Sequence, residues 1–296
     1  MDCPGHVSVL VAELLKFLNP KPDRIYLDAT LGAGGHARAV LEKAGPTAKL
    51  IAFDQDPEAL TLAQKNLAEF SKQIVWIEAN FGDIRNVLTD HKIKKTDGIY
   101  ADLGLSSMQL ANAARGFSFQ TEGPLDMRMS PKSAQTVLTV LRDLSEEDLA
   151  DVLYRYGEER MSRKISRWIK EALAANQLQT TTDLAELVRR AYPPKLRRGR
   201  IHPATRTFQA LRIYVNGELG QLEKFLDQAP ELLNLQGVLA VMSYHSLEDR
   251  LVKQKFRALA GAGFELLTKK PVTPTAEEVQ KNSRSRSAKL RGIRKL

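Results

Sequence analysis

Four short apolar runs, at residues 25–27, 50–53, 74–77 and 99–101, are separated by stretches of helical periodicity. That alternation restricts the fold more than any other feature of the chain. Strands spaced by helices of this length do not pair as hairpins; they lie parallel and are joined by helical crossovers. Residues 36–43 and 57–70 supply two such helices, the second with Pro57 in its first turn. A further helical pattern over residues 7–18 (Val7, Leu10, Val11, Leu14, Leu15, Leu18) stops at Asn19-Pro20. The expectation is an α/β fold with a mostly parallel, Rossmann-like sheet.

The first strand runs into Asp28-Ala29-Thr30-Leu31-Gly32-Ala33-Gly34-Gly35-His36, which opens the next helix. Glycines there let the backbone turn sharply and let a ligand approach the helix N-terminus without a Cβ in the way. Gly32, Gly34 and Ala37 satisfy the spacing of a dinucleotide loop, and Asp54 ends the second strand, where an acid can accept bonds from ribose hydroxyls. The loop therefore suits either NAD or S-adenosylmethionine. Asp28, four residues before the first glycine, matches a cationic amino-acid moiety better than a pyrophosphate. Asn80-Phe81-Gly82 after the third strand offers an aromatic face for adenine, and the fourth strand ends in Asp102. Ligands of open α/β sheets sit beyond the carboxyl ends of the strands, and Asp28, Asp54, Phe81 and Asp102 all fall there.

Between residues 108 and 203 the strand signals disappear. Ser145 is placed to cap one helix, Thr182 to cap another over 183–192, and Pro193-Pro194 to end it. Strand character returns at 237–243 and 264–267, around a helix opened by Ser246 with Asp249 completing its cap. The expected layout is an α/β domain of residues 1–108 and 204–296 interrupted by an all-helical domain of residues 109–203. The helix begun at Pro203 has a core face of Phe208, Leu211, Val215 and Leu219 and a polar face of Thr205, Gln209, Arg212 and Asn216.

Net charge is +9, unevenly distributed. Residues 189–212 hold eight cations and no acid, residues 281–296 seven more and no acid, so the rest of the chain is net −6. Two acid-free basic blocks read as a footprint for a polyanion, and Arg197, Arg198, Arg200, Arg206, Arg212, Arg284 and Arg286 are its candidate phosphate contacts. No apolar run approaches a membrane span. The opening residues resemble no signal peptide, and one cysteine, Cys3, allows no internal disulfide. The expectation is a cytoplasmic protein without a membrane partner. The five histidines are dispersed without metal-ligand spacing, so no metal is expected. There is no G-x-S-x-G elbow, and Ser243-Tyr244-His245-Ser246 reads as a helix cap rather than a nucleophile.

Further segments carry a resemblance: Arg115-Gly116-Phe117-Ser118-Phe119, Gly123-Pro124-Leu125-Asp126-Met127-Arg128-Met129, Tyr156-Gly157-Glu158-Glu159-Arg160, Ser246-Leu247-Glu248-Asp249-Arg250, and Asp102-Leu103-Gly104-Leu105-Ser106-Ser107. With the glycine loop and residues 6–10, 202–212 and 284–287, the chain resembles the bacterial small-subunit ribosomal RNA cytosine-N4 methyltransferase family over nearly its whole length. The resemblance implies a class I methyltransferase fold with S-adenosylmethionine as donor. It implies as acceptor a cytidine in the decoding centre (P site) of 16S rRNA in the small ribosomal subunit. Carried over by position, donor binding falls on Gly34, Gly35, His36, Asp54, Phe81, Asp102 and Gln109, to which the residue reading adds Asp28 and Gly32. Asp102 is the candidate catalytic group that polarises the acceptor amine. Met108, and Ser283 and Ser285, stand where proline, and proline and alanine, are common in the family. The inserted helical domain suits either RNA or a homodimer contact. An NAD-dependent oxidoreductase satisfies the loop alone, and a non-catalytic ribosome-assembly factor satisfies the basic blocks alone.

Overall fold

The structure is a computed structural model that describes residues 8–197, 199 and 202–296. Along the chain come α1 (Val11–Leu18), β1 (Ile25–Asp28), α2 (Gly35–Ala44), β2 (Lys49–Asp54), α3 (Pro57–Asn66), β3 (Ile74–Glu78), α4 (Ile84–Asp90) and β4 (Thr96–Asp102). Six helices follow: α5 (Ser107–Ala111), α6 (Val137–Asp143), α7 (Glu146–Gly157), α8 (Ser162–Ala174), α9 (Thr181–Ala191) and α10 (Ala204–Asn216). The chain ends with α11 (Glu218–Gln228), β5 (Leu233–Ser243), α12 (Ser246–Leu259), β6 (Phe264–Leu266), α13 (Ala276–Lys281) and β7 (Lys289–Lys295).

All seven strands form one sheet in the order β3-β2-β1-β4-β5-β7-β6. The first five are parallel, and β7 and β6 are antiparallel additions at one edge. Alternate residues of each strand serve opposite faces. Tyr26, Leu50 and Tyr100 pack with Leu14, Val40 and Leu41 on one side. Leu27, Ile51, Phe53 and Ile99 pack with Phe225, Val252 and Phe256 on the other. Burial on both faces is why these strands read as unbroken apolar runs.

The chain divides into two compact units, one of Leu105–Glu218 and one of the described residues up to Gly104 with Leu219–Leu296. The helical unit has its own core of Phe117, Leu141, Leu149, Leu153, Ile165, Ile169 and Leu184. Here the structure corrects the expected return to the α/β domain at residue 204. Phe208, Ala210 and Leu211 of α10 are buried in the helical core, so the boundary falls after α10. Periodicity marked the core face of α10 but not which core it serves.

Four local expectations also shift. The first helix begins at Val11 because Leu10 adopts a left-handed conformation (φ 53°) through which a helix cannot propagate; Val7 lies outside the described residues. The cap of α9 is Thr180, not Thr182, in a reciprocal pair with Asp183. The cap of α12 is His245, whose ring accepts from the Glu248 amide while Glu248 accepts from the His245 amide, rather than Ser246 with Asp249. Finally, residues 289–295, read only as a basic tail, are a sheet strand that buries Leu290 and Ile293.

Candidate active site

Asp28, Asp54 and Asp102 are the last residues of β1, β2 and β4, three neighbouring parallel strands. The fold thus brings the predicted acids to the carboxyl end of the sheet, although 74 residues separate Asp28 from Asp102 in sequence. The glycine loop lies between β1 and α2. Gly32 (φ +54°) and Gly34 (φ +87°) adopt the left-handed conformation that glycine tolerates best. A Cβ on Gly34 would come within 2.7 Å of Leu67, and one on Gly35 within 2.0 Å of the Ser8 hydroxyl oxygen. At Gly32 a Cβ would meet nothing within 4 Å, so the space above that residue is open.

Each acid does something different. Asp54 is half-buried; its Oδ2 accepts the Gly32 amide (2.8 Å) and its Oδ1 the Asp56 amide (2.9 Å). It therefore ties loop to strand while keeping lone pairs for further donors. Burial pushes its carboxyl up to about 6, against those amide bonds. Asp28 is only 1% exposed and accepts the Thr30 amide at 3.0 Å, propping the loop from beneath. Burial raises it further, to about 7, with His36 opposing the shift. Asp102 is half-buried, its amide donating to the Thr30 hydroxyl oxygen at 2.6 Å. The Tyr244 hydroxyl donates to Asp102 Oδ1 at 2.7 Å.

His36 is buried in the first turn of α2. Its Nε2 lies 2.8 Å from the Val9 carbonyl. A carbonyl only accepts, so Nε2 carries the hydrogen and Nδ1 is the nitrogen turned toward Asp102 Oδ2, 3.7 Å away. Phe81 follows β3 in a short 3-10 turn capped by Asn80, half-buried and edge-on to Phe225 at 5.4 Å. A hydroxyl-accepting acid, an aromatic face and an open, glycine-lined loop fit the parts of S-adenosylmethionine.

Gln109 belongs to the helical unit. Its side-chain oxygen accepts the Ser106 amide at 3.1 Å in the cap of α5. Thr30 and Tyr244, both bonded to Asp102, carry no local sequence signal that singles them out.

The basic blocks fare unevenly. Arg212 forms a two-pronged ion pair with Glu218, both bonds 2.8 Å, and is largely buried. Arg197 donates to the Tyr192 and Arg190 carbonyls. Lys289 and Arg291 share Asp249, and Arg294 pairs with Glu265. Arg206, Arg284 and Arg286 are exposed, and Arg198 and Arg200 lie outside the described residues. The acid-free character of each block is thus a property of sequence, since acids from elsewhere answer several of its cations.

No helix among the described residues is long and apolar enough to cross a membrane. The model of the MraW methylase family matches residues 4–296. Curated relatives called ribosomal RNA small subunit methyltransferase H extend over nearly the same length. The protein of Sorangium cellulosum is 50% identical, with 98% of this chain and 91% of that one covered. That of Koribacter versatilis is 48% identical, covering 97% and 93%. That of Anaplasma phagocytophilum is 45% identical, covering 98% of each.

Proposed function

The chain belongs to the MraW methylase family, a methyltransferase using S-adenosylmethionine, and on that premise we propose that it methylates 16S rRNA. The acceptor in this reading is the exocyclic N4 amine of a cytidine in the decoding centre (P site), presented by the small ribosomal subunit in the cytoplasm. The observation that carries the donor half is the row of Asp54, Asp28 and Asp102 at three adjacent strand ends beside the glycine loop. The acceptor half is supported by the names of relatives up to 50% identical over 98% of the chain.

In this reading Asp54 accepts from the ribose hydroxyls, Phe81 faces the adenine, and Gly32, Gly34 and Gly35 let the ligand approach the start of α2. Asp28 and His36 set the shape and charge of the loop. When bound, S-adenosylmethionine supplies a methyl group on a cationic sulfur, which keeps the electrons of the broken carbon–sulfur bond. The cytosine amine is a weak nucleophile because its lone pair is delocalised into the ring. Asp102 accepts an N–H bond from it, which localises that pair, and takes up the proton the nitrogen releases as its bond to carbon forms. In-line placement of the two reactants provides the rest. The target base must be unstacked to enter such a site. Arg206, Arg284 and Arg286, with Arg197, Arg198 and Arg200, make phosphate contacts, while Arg212 serves its ion pair with Glu218.

The test is methyl transfer from radiolabelled S-adenosylmethionine to unmodified small subunits, naked 16S rRNA and duplex DNA, with the labelled nucleoside identified by mass spectrometry. N4-methylated cytidine from the RNA is the expected product. Label in DNA, or in another nucleoside, overturns the acceptor; no label in any substrate overturns the reaction.

A further inference from the structure

We propose that Tyr244 is a positioning residue for the methyl transfer, holding the Asp102 carboxylate in one orientation and in its ionised form. The inference rests on the reading of Asp102 given above and adds a residue to it. Tyr244 lies 142 positions along the chain from Asp102, in the turn between β5 and α12, yet its hydroxyl reaches Asp102 Oδ1 at 2.7 Å. A phenol donating to a carboxylate is a charge-assisted bond, stronger and more directional than a neutral one.

Three features show that the contact is built rather than incidental. The Tyr244 amide donates to Glu248 Oε2 at 2.8 Å, and the same oxygen accepts the His245 amide, so the backbone below the ring is pinned to the first turn of α12. The ring lies over Gly104, where a Cβ would stand 3.4 Å from its Cδ2, and Gly104 has φ +107°. The ring thus packs against the backbone two residues past Asp102. Burial, with Asp102, Glu248 and Glu278 nearby, raises the phenol far above its ordinary value, so it stays a donor at every working pH.

The carboxylate is bracketed. Oδ1 takes the Tyr244 hydroxyl, and Oδ2 faces His36 Nδ1 at 3.7 Å, the ring itself being fixed through Nε2 by the Val9 carbonyl. Asp28 also lies beside this pair, with the buried Tyr100 behind it. Of the groups around Asp102, Tyr244 supplies a donor that carries no charge of its own and never loses its proton. It therefore favours the anion over the acid without competing for the amine.

The decisive measurement is the carboxyl titration of Asp102 by carbon NMR on selectively labelled full-length protein, assigned by its loss in Asp102→Asn. In Tyr244→Phe the midpoint moves up by roughly one pH unit, while the melting profile stays that of the folded protein. Methyl transfer followed from pH 5 to 9 gives the functional half. The acid limb of the Tyr244→Phe rate profile moves up by the same amount, so that its rate falls by up to roughly tenfold on that limb and hardly changes on the plateau above it. In the Asp102→Asn background, Tyr244→Phe adds nothing further. An unshifted Asp102 titration in Tyr244→Phe overturns the proposal even if the rate drops. Full turnover in Asp102→Asn overturns instead the role given to Asp102, and the titration still decides whether Tyr244 governs its ionisation.

Discussion

Two charged regions of this molecule stand out in its sequence, the acids ending β1, β2 and β4 and the cations of β7, and the fold uses them in opposite ways. Asp28, Asp54 and Asp102 are gathered at the carboxyl ends of three adjacent strands. Burial raises Asp28 and Asp54; backbone amides donate to these two, and the Tyr244 phenol donates to Asp102. Lys289, Arg291 and Arg294 are instead neutralised by Asp249 and Glu265 from neighbouring elements. A charge held by neutral donors keeps its capacity for a ligand; a charge answered by a counter-charge is part of the scaffold. A run of like charges in a sequence therefore says little until its partners are known.

The largest expected effect sharpens the first half of that comparison. Asp102→Asn should lower methyl transfer by about 100-fold or more with the fold intact, as read by turnover beside a melting curve. Asp28 gives the next. Its folded carboxyl is raised to about 7 from an ordinary 3.8. Between about pH 4 and 7 the unfolded chain releases this proton while the native protein keeps it, so stability falls as pH rises through that window. Asp28→Asn removes that loss, and its stability relative to the parent should rise from pH 4 to pH 8 by up to roughly 4 kcal/mol. A difference that is flat with pH contradicts a buried, near-neutral Asp28.

The cations of β7 supply the opposite expectation. Asp249→Asn strips Lys289 and Arg291 of their shared partner and should destabilise the protein by about 2 kcal/mol, lowering the melting temperature with little change in the salt dependence of RNA binding. Replacing exposed Arg284 and Arg286 with alanine should do the reverse. Melting should hardly move, while the log–log salt slope of RNA binding becomes shallower by roughly 1.4 to 1.8. If Asp249→Asn changed the slope and the arginine pair changed only stability, the distinction between the two sets of charges would be broken.

Much of the sheet was legible because β1, β2 and β4 are buried on both faces and read as short, unbroken apolar runs. The strand at 289–295 was not, because Leu290 and Ile293 are set among cations whose acids lie on α12 and β6. The caps slipped where candidates were crowded: Thr180, Thr181 and Thr182 are consecutive, and only the reach of Asp183 selects the first. The end of the helical unit was misplaced because an amphipathic helix shows that it has a buried face, not which core receives it. At the site, the acids and glycines were visible from their positions after strands, whereas Tyr244 depends on a contact across 142 positions that no local pattern encodes.

Whether the strand-end acids and glycine loop hold S-adenosylmethionine is tested most directly by titrating that ligand into the wild type and Asp54→Ala, with NAD as competitor. Saturable binding is predicted, undisturbed by NAD and weakened about 10- to 100-fold in Asp54→Ala by loss of the carboxylate's bonds to the ribose. Displacement by NAD, or unchanged affinity in a folded Asp54→Ala, would contradict it.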